Sequence, residues 1–410
     1  MNRHPEAWRC LGLPFCCGPL RPSGPGGSGW SGRPPELLEV LAGDLGLGTL
    51  AAPEMVDPPG LGDLLTQGFQ DGVFPGCVLV HGQPAAGRAR ILAVGFRGLS
   101  RHRTPIGFAQ LYDLASLTKV AATTVLVMKA VDRGLLSLQT LLADLNLGIS
   151  KDQKPLTIEH LLTHQSGFPA WRPFHVDPEL ADKDRLLKAI VRERLLFEPG
   201  QATVYSDLNF LLLGLILEKL WAASLSELFD REVAAPLELK VTGYDSKGFA
   251  AAPTEDGPRV GGPLGWPGAL ILGAVPTGRV HDDNAAALGG AAGHAGLFGS
   301  APELWRIVRD LAKTWSKDEG VLCRRRTLTA FMAVRSTPVD PGRAAGFDIG
   351  QGPLAGAFGH LGYTGGSIWW DPAGDRAFVF LSNRVHPTAR NSKITGFRRQ
   401  LAEILWPALG

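Results

Sequence analysis

The sequence from Leu111 to Ala130, LYDLASLTKVAATTVLVMKA, decides how the rest of the chain is interpreted. It contains Ser116 and Lys119 in a Ser-x-x-Lys pattern that occurs only once in the chain. From Ser116 onward, apolar residues recur at steps of one, three and four, which predicts a helix beginning at this serine. Serine is favoured there because its side chain can accept a hydrogen bond from a free backbone N–H.

The spacing of this pattern brings a lysine amine within one helical turn of a serine hydroxyl. A serine hydroxyl is a weak nucleophile until a base removes its proton, and a desolvated lysine can act as that base. The helix N-terminus adds positive potential where a negative charge would develop. The pattern is short, however, and a core helix capped by its serine is the alternative interpretation.

The composition is that of an ordinary globular protein, with 410 residues, 45% hydrophobic and 20% charged. A formal net charge of +2 gives no reason to expect nucleic acid as a partner. No segment approaches the roughly 18 uninterrupted apolar residues of a membrane span, so we expect no integral membrane segment. The N-terminus lacks a convincing signal peptide, which favours a soluble, cytoplasmic protein over a periplasmic or secreted one.

The chain divides into two regions. Residues 1–55 are rich in Gly and Pro and are predicted to be disordered or poorly structured. Residues 56–410 are predicted to form one domain. Three of the five cysteines lie in the N-terminal segment, and the spacing of the five fits neither a disulfide framework nor a zinc site. We therefore expect neither a metal nor a cofactor.

Hydrophobic periodicity gives the fold class. A helix is predicted at Leu61–Gly72, followed by a hairpin of Cys77–His81 and Ala89–Phe96, and strands return at Ser367–Asp371 and Arg376–Ser382. Between these ends the patterns are mainly helical, including a helix that starts at Thr157 and a long apolar one at Phe210–Leu220. This arrangement predicts an α/β (α+β) fold, with an antiparallel sheet flanked by helices and an inserted, mainly helical region.

Two histidine patterns resemble metal sites. His160 and His164 have the i, i+4 spacing of a helical metal pair, but no third ligand is evident. The run His281–Asn284 precedes His294 and could contribute a cluster of His and Asp ligands. A structural interpretation is favoured for both, the second as a polar cap before tight packing of small residues.

Further motifs follow the Ser-x-x-Lys pattern in order. Tyr205-Ser206-Asp207 begins 89 residues after Ser116, and His360-Leu361-Gly362 begins 155 residues after Tyr205. Together the three resemble the motifs of the serine β-lactamase-related superfamily, and most closely the class C β-lactamases with their esterase and D-alanyl-D-alanine carboxypeptidase relatives. Three further blocks are similar to landmarks of that family: Leu161–Gly167, Gly293–Phe298 and Gly359–Gly365. The resemblance covers about residues 60–405.

The resemblance implies an acyl-enzyme mechanism. Ser116 would attack a carbonyl carbon, while Lys119 and the Tyr205 phenol share its proton as general base and then general acid. The backbone N–H groups of Ser116 and Tyr363 would form the oxyanion hole. Gly362, directly before Tyr363, belongs to the same region.

The chain departs from the family pattern at two positions. His360 stands where many relatives carry lysine, and would orient Tyr205 or a substrate carboxylate; an alternative register gives this place to Tyr363-Thr364-Gly365. Asp207 stands where relatives often have asparagine, and an ionised aspartate can only accept hydrogen bonds. Asp207 could also pair with Lys119 and raise its pKa.

These departures favour an esterase or a D-alanyl-D-alanine carboxypeptidase. The substrate would be a small molecule or peptide carrying an ester, D-amino-acid peptide or β-lactam carbonyl. Two alternatives remain, namely a true class C-like β-lactamase and a penicillin- or peptide-binding module that does not turn over.

Overall fold

The computed structural model describes residues 55–99, 103–149, 153, 155–246, 248–260, 271–337 and 340–409, and the backbone of Leu38–Leu41. The α-helices are α1 (Leu61–Gln70), α2 (Thr124–Asp132), α3 (Ile158–Leu162), α4 (Lys183–Ile190), α5 (Asp207–Trp221), α6 (Leu225–Phe229), α7 (Asp283–Ala287), α8 (Ala301–Lys317), α9 (Arg325–Met332) and α10 (Ile394–Ala408). Single 3-10 turns occur at Leu142–Leu145, Phe174–Val176, Pro178–Ala181 and Gly352–Leu354, and π-helical turns at Lys119–Thr123 and Asp230–Ala234.

The strands are β1 (Leu38–Leu41), β2 (Gly76–Gln83), β3 (Arg88–Gly95), β4 (Tyr112–Asp113), β5 (Arg259–Val260), β6 (Ile271–Leu272), β7 (Phe298–Gly299), β8 (Arg335–Thr337), β9 (Asp340–Arg343), β10 (Asp348–Ile349), β11 (Phe358–Leu361), β12 (Ser367–Asp371) and β13 (Arg376–Ser382). Seven of them form one antiparallel sheet in the order β1-β3-β2-β13-β12-β11-β10. The chain between β3 and β11 is mainly helical. The predicted fold class is therefore confirmed.

The N-terminal segment contributes one strand to this sheet. The backbone of β1 pairs antiparallel with the edge of β3, with Leu38 opposite Ala93 and Leu41 opposite Arg90. These four residues belong to the segment 1–55 that is predicted to be poorly structured, and the edge of β3 offers them an unpaired row of backbone groups. Residues 1–37 and 42–54 lie outside the described residues.

One face of the sheet is covered by α1 and α10. Alternate residues of a strand point to the same face, so Phe380 of β13 faces these helices. Its ring lies 5.7 Å from that of Phe74 and 5.4 Å from that of Phe397 on α10, and the rings of Phe74 and Phe397 are 5.0 Å apart. Each buried aromatic side chain of this kind contributes about 1.5–3 kcal/mol through loss of apolar surface to water.

The opposite face carries the large hydrophobic core. Val78 and Val80 of β2 pack there beneath α8, which also contacts β13. Behind α8 lie α2 and α5, whose leucines and valines are almost all buried. A helix that is apolar on every side must be surrounded by protein, and α5 has this character from Leu208 to Leu217.

Ser116 lies immediately before the first turn of its helix, as predicted. Ala115 has a left-handed backbone conformation with φ 46°, and the helical hydrogen bonds start with the N–H groups of Leu117 and Thr118. The next turn, Lys119–Thr123, is π-helical rather than α-helical, which the apolar periodicity did not predict. Single π-helical turns inside helices are frequently found at functional sites.

A close backbone approach fixes the loop before β7. Gly293 in this loop touches α5, and an added Cβ would lie 2.0 Å from the carbonyl oxygen of Phe210 and 2.9 Å from the backbone nitrogen of Gly214. Only glycine permits this contact. The Gly293 carbonyl accepts a hydrogen bond of 2.6 Å from the Thr123 hydroxyl. The loop therefore contacts α5 and is also hydrogen-bonded to the π-helical turn that leads into α2.

We expect Gly293→Ala to lower the free energy of unfolding by about 1–3 kcal/mol, because the backbone must move to admit the methyl group. Gly396→Ala is the matched control: Gly396 lies within α10 with nothing near its missing Cβ, so alanine should stabilise by about 0.5–1 kcal/mol. Urea unfolding of both variants measures the difference. Equal stabilities would contradict the close approach.

Among the described residues, no single helix is long and apolar enough to cross a membrane. Helix α5 and the following Leu225–Ala234 meet the length and composition test only as a pair bent by 78°.

Candidate active site

The Ser116 hydroxyl is contacted by two of the predicted residues. Its Oγ accepts a hydrogen bond of 2.9 Å from the Lys119 ammonium and lies 2.9 Å from the Tyr205 hydroxyl oxygen. Ser116 and Lys119 are held by the start of their helix, and Tyr205 by the extended segment before α5. The structure therefore brings together three side chains that are up to 89 residues apart in the sequence.

The Lys119 ammonium is fully buried and uses all three of its hydrogens. Besides Ser116, it donates to Asp207 Oδ1 at 2.8 Å and to the His294 carbonyl at 3.1 Å. Burial lowers the pKa of Lys119, but the charge of Asp207, together with the interactions with Tyr205 and the hydrogen bond to Asp207, outweighs burial and raises that pKa above its ordinary value. Lys119 is therefore a charged ammonium in the resting site.

Tyr205 lies close to two histidine rings and to the Lys119 ammonium. Its ring centroid lies 4.5 Å from that of His164 and 5.7 Å from that of His360, and the Lys119 ammonium is 4.9 Å from its centre. Burial raises the pKa of the Tyr205 phenol, the Lys119 charge opposes this, and the Asp207 charge adds to it, so that the pKa stays above its ordinary value. The resting phenol is therefore neutral.

His360 is buried on β11 beside Tyr205. Its Nδ1 lies 2.7 Å from the Leu361 carbonyl, which can only accept, so Nδ1 carries the hydrogen. Burial lowers the pKa of His360 well below its ordinary value, and the charges of Lys119 and Arg343 lower it further. His360 is then uncharged near neutral pH and presents a buried Nε2 acceptor without a partner among the described residues.

Two backbone N–H groups are predicted to form the oxyanion hole. Within the described part of the chain, the N–H groups of Ser116 and Tyr363 donate to no protein acceptor. The turn containing Tyr363 packs on the segment before Ser116: the Thr364 hydroxyl donates to the Asp113 carbonyl at 2.6 Å. Gly362 touches the same segment, since an added Cβ would lie 2.8 Å from the Leu114 carbonyl oxygen.

A family model described as Beta-lactamase matches residues 67–403, which is most of the chain. The chain belongs to the β-lactamase family. This is a family of serine hydrolases, and the protein is an enzyme of that class.

Relatives in the β-lactamase family carry a more specific name. One named "Putative D-alanyl-D-alanine carboxypeptidase", from Escherichia coli O157:H7, is 30% identical over 306 residues, 67% of this chain and 69% of that protein. A relative of the same name from Salmonella typhi is 29% identical over 314 residues, 69% and 72% of the two proteins.

Solved structures share the fold. EstCE1, described as a hydrolase with promiscuous acyltransferase activity, gives a TM-score of 0.65 at 22% identity, covering 84% of this chain and 97% of its own. The octameric penicillin-binding protein homologue from Pyrococcus abyssi gives 0.64 at 17% identity, covering 85% of this chain and 79% of its own.

Sequence reasoning missed how this β-lactamase-family site uses His164. The imidazole is buried, its Nδ1 accepts the Ser206 backbone N–H at 3.0 Å, and its ring packs against Tyr205. Burial lowers the pKa of His164 well below its ordinary value, followed by the charges of Arg343, Lys119 and His360. It is thus a neutral support for the tyrosine. Its place in the block Leu161–Gly167 was the one available signal.

Each of the two histidine patterns makes structural contacts. His160 closes the capping box of α3 with Thr157. Asp282 caps α7 and lies 2.8 Å from His294 Nε2, which holds in place the loop whose carbonyl binds Lys119. No group of three or more metal-ligating side chains occurs in the described ranges.

Proposed function

We propose that the protein hydrolyses its substrate through an acyl-enzyme formed on Ser116. The observation that carries this proposal is the position of Ser116 Oγ, 2.9 Å from both the Lys119 ammonium and the Tyr205 hydroxyl oxygen. Ser116 Oγ would bond to the carbonyl carbon as its proton passes to the Lys119–Tyr205 pair. The same proton would then go to the leaving group, and water would release the acyl group by the reverse path.

One proton must first leave the Lys119–Tyr205 pair to create the base. Both pKa values are raised above their ordinary values, so the base form is scarce at low pH and increases as pH rises. Because the two groups interact strongly, they titrate as a pair. We therefore expect kcat/KM for an uncharged ester to increase from neutral toward alkaline pH.

Asp207→Asn tests this electrostatic arrangement. The Asp207 charge raises the pKa of both Lys119 and Tyr205, so its removal lets the pair lose its proton at lower pH. We expect the acid limb of the pH profile of kcat/KM to move to lower pH. Asp184→Asn, at an exposed position at the start of α4, is the matched control and should leave the profile in place. A limb that moves upward or not at all would contradict the assignment.

The charges around Ser116 favour a substrate without a carboxylate at the leaving side. Asp207 is negative and already accepts from Lys119, and the low pKa of His360 leaves no positive charge at that position. Leu361 and Tyr363, which follow His360 in the chain, are apolar or aromatic side chains that each expose 40% of their surface. We propose small esters with apolar acyl groups as the preferred substrate class.

A D-alanyl-D-alanine carboxypeptidase activity is the second candidate. The names of the β-lactamase-family relatives support it. So does Arg343, whose guanidinium carbon lies 5.9 Å from the centre of the Tyr205 ring while the same group pairs with Asp348. A guanidinium at this edge of the site can bind a terminal carboxylate.

The experiment is a burst-and-turnover assay on wild type, Ser116→Ala and Arg343→Gln. The substrates are p-nitrophenyl acetate, an acylated D-alanyl-D-alanine dipeptide and a chromogenic cephalosporin. Ester turnover well above peptide turnover supports the esterase proposal. Faster peptide turnover that Arg343→Gln selectively lowers supports the carboxypeptidase. Dominant cephalosporin turnover would identify a β-lactamase, and a burst of one equivalent without turnover would identify a binding module.

A further inference from the structure

An arginine of the C-terminal helix α10 reaches beneath the turn that carries Tyr363. Arg398 Nη2 donates to the Gly362 carbonyl at 2.8 Å and to the Gly366 carbonyl at 2.6 Å. These carbonyls lie at the two ends of the turn between β11 and β12, where the Gly362 N–H also bonds to the Gly366 carbonyl at 2.7 Å. One guanidinium therefore bridges the two ends of the turn.

The first of these contacts acts on a particular peptide plane. The Gly362 carbonyl and the Tyr363 N–H belong to the same planar, trans peptide group, so they point in opposite directions. A hydrogen bond that fixes the carbonyl therefore fixes the direction of the N–H. A carbonyl that accepts a charged hydrogen bond also polarises its peptide group, which makes the N–H a stronger donor.

The next peptide plane is held in a similar way. Arg384 Nε donates to the Tyr363 carbonyl at 2.9 Å, and its guanidinium carbon lies 4.6 Å from the centre of the Tyr363 ring. Its Nη1 donates to the carbonyls of Ala389 and Asn391, which anchor it to the loop before α10. Both peptide groups flanking the Tyr363 Cα are thus held by guanidinium groups.

Arg398 has no carboxylate among its partners in the described part of the chain. Its Nε is buried without a partner, and burial, with the nearby charge of Arg384, lowers the pKa of Arg398 to about 9. The guanidinium still carries its charge at neutral pH. A partly buried cation whose hydrogen bonds in the described part of the chain go only to carbonyls lowers the free energy of unfolding, which is unexpected for a residue that serves stability alone.

We propose that Arg398 is a positioning residue for oxyanion stabilisation, acting through the Gly362 carbonyl to aim and polarise the Tyr363 N–H. This inference rests on the proposed acyl-enzyme function of Ser116. Arg398 touches no substrate in this account, and its effect is confined to the step in which negative charge develops on the carbonyl oxygen.

The test compares Arg398→Met and Arg398→Lys with Arg399→Met, a matched control on the same helix whose side chain is exposed and pairs with Glu403. Three quantities are measured for each variant: kcat, KM for p-nitrophenyl acetate, and the Kd of phenylboronic acid, which forms a tetrahedral anion on a serine. Circular dichroism at the assay temperature establishes the folded fraction, to which kcat is normalised.

We expect Arg398→Met to lower kcat about 10- to 100-fold, below the loss reported for removing an oxyanion donor outright. Phenylboronic acid affinity should fall by a similar factor, KM should change less than about threefold, and Arg398→Lys should recover part of both losses. Arg399→Met should match wild type. A kcat loss without a matching loss of boronate affinity, or neither loss in folded protein, would overturn the proposal. Should Arg398→Met not fold, Arg398→Lys alone decides by the same comparison.

Failure of the proposed function would give a different result. In that case wild type itself would show no ester turnover or boronate binding that depends on Ser116. A wild type that turns over and binds boronate, beside Arg398 variants that keep both, separates failure of this inference from failure of the function.

Discussion

Ser116→Ala is expected to lower kcat by at least about 10⁴-fold for every substrate that the protein turns over, since removing a nucleophile from a catalytic unit costs most of its rate acceleration. The methyl group of alanine cannot form the bond to the acyl carbon. Stopped-flow and steady-state assays with p-nitrophenyl acetate measure both burst and turnover, and both should disappear. Binding of an uncleaved substrate analogue should survive, because Lys119, Tyr205 and the backbone remain.

Ser392→Ala provides the matched control, because Ser392 is exposed and no side-chain hydrogen bond is found for it among the described residues. The alternative interpretation makes Ser116 a helix cap only. Its substitution would then cost about 1 kcal/mol of stability and no activity. A Ser116→Ala variant that turns over like Ser392→Ala would refute the assignment of the nucleophile.

Tyr205→Phe is expected to lower kcat by about 10²- to 10⁴-fold, the range for loss of a general acid–base group. Phenylalanine keeps the ring that packs against His164 and His360, so the loss isolates the hydroxyl that lies 2.9 Å from Ser116 Oγ. The affinity for an uncleaved substrate analogue should change little. Steady-state kinetics over a range of pH, with urea unfolding as a measure of stability, separates proton transfer from packing.

Tyr112→Phe is the matched control, because the Tyr112 hydroxyl is buried without a partner among the described residues and lies in β4, outside the contacts of Ser116. It should retain wild-type kcat. A kcat of Tyr205→Phe within about threefold of wild type would show that the phenol takes no part in proton transfer. Lys119 would then be the general base despite its raised pKa.

Much of the framework was predictable because its signals are local. The hairpin of β2 and β3 appeared as two strand-like runs joined by a turn, and Thr157 and Gly167 marked the start of α3 and the turn after it. The strands β12 and β13 were predicted with the bounds that the structure has. In each case the hydrophobic periodicity and the turn residues that predict an element lie within about ten positions of one another. The prediction therefore needs no knowledge of contacts between distant parts of the chain.

The electrostatics of the site could be predicted only in part. The pairing of Asp207 with Lys119 was predictable, because the two motifs that contain these opposite charges are expected to meet in one site. The third acceptor of Lys119, the His294 carbonyl, lies 175 residues away and is a backbone atom that no side-chain pattern reports. The uncharged state of His360 depends on burial and on nearby cations. Such properties belong to the assembled structure.

Arg398 shows the same limit more strongly. In the sequence it is one of two adjacent arginines on an amphipathic helix, which indicates only an exposed charged face. In the structure its neighbour Arg399 is exposed, whereas Arg398 reaches the carbonyls of Gly362 and Gly366. The difference depends on which face of α10 packs against the turn between β11 and β12. A single sequence does not specify how two such elements pack.

The central claim is that Ser116 forms and releases an acyl-enzyme, and rapid-quench mass spectrometry tests it most directly. Wild-type protein is mixed with p-nitrophenyl acetate, quenched in acid during the burst, digested and mapped. The account predicts one acetyl group per chain on the peptide containing Ser116, decaying after substrate exhaustion at a rate equal to kcat. Turnover without this adduct, or an acetyl group carried by another residue at that rate, would contradict it.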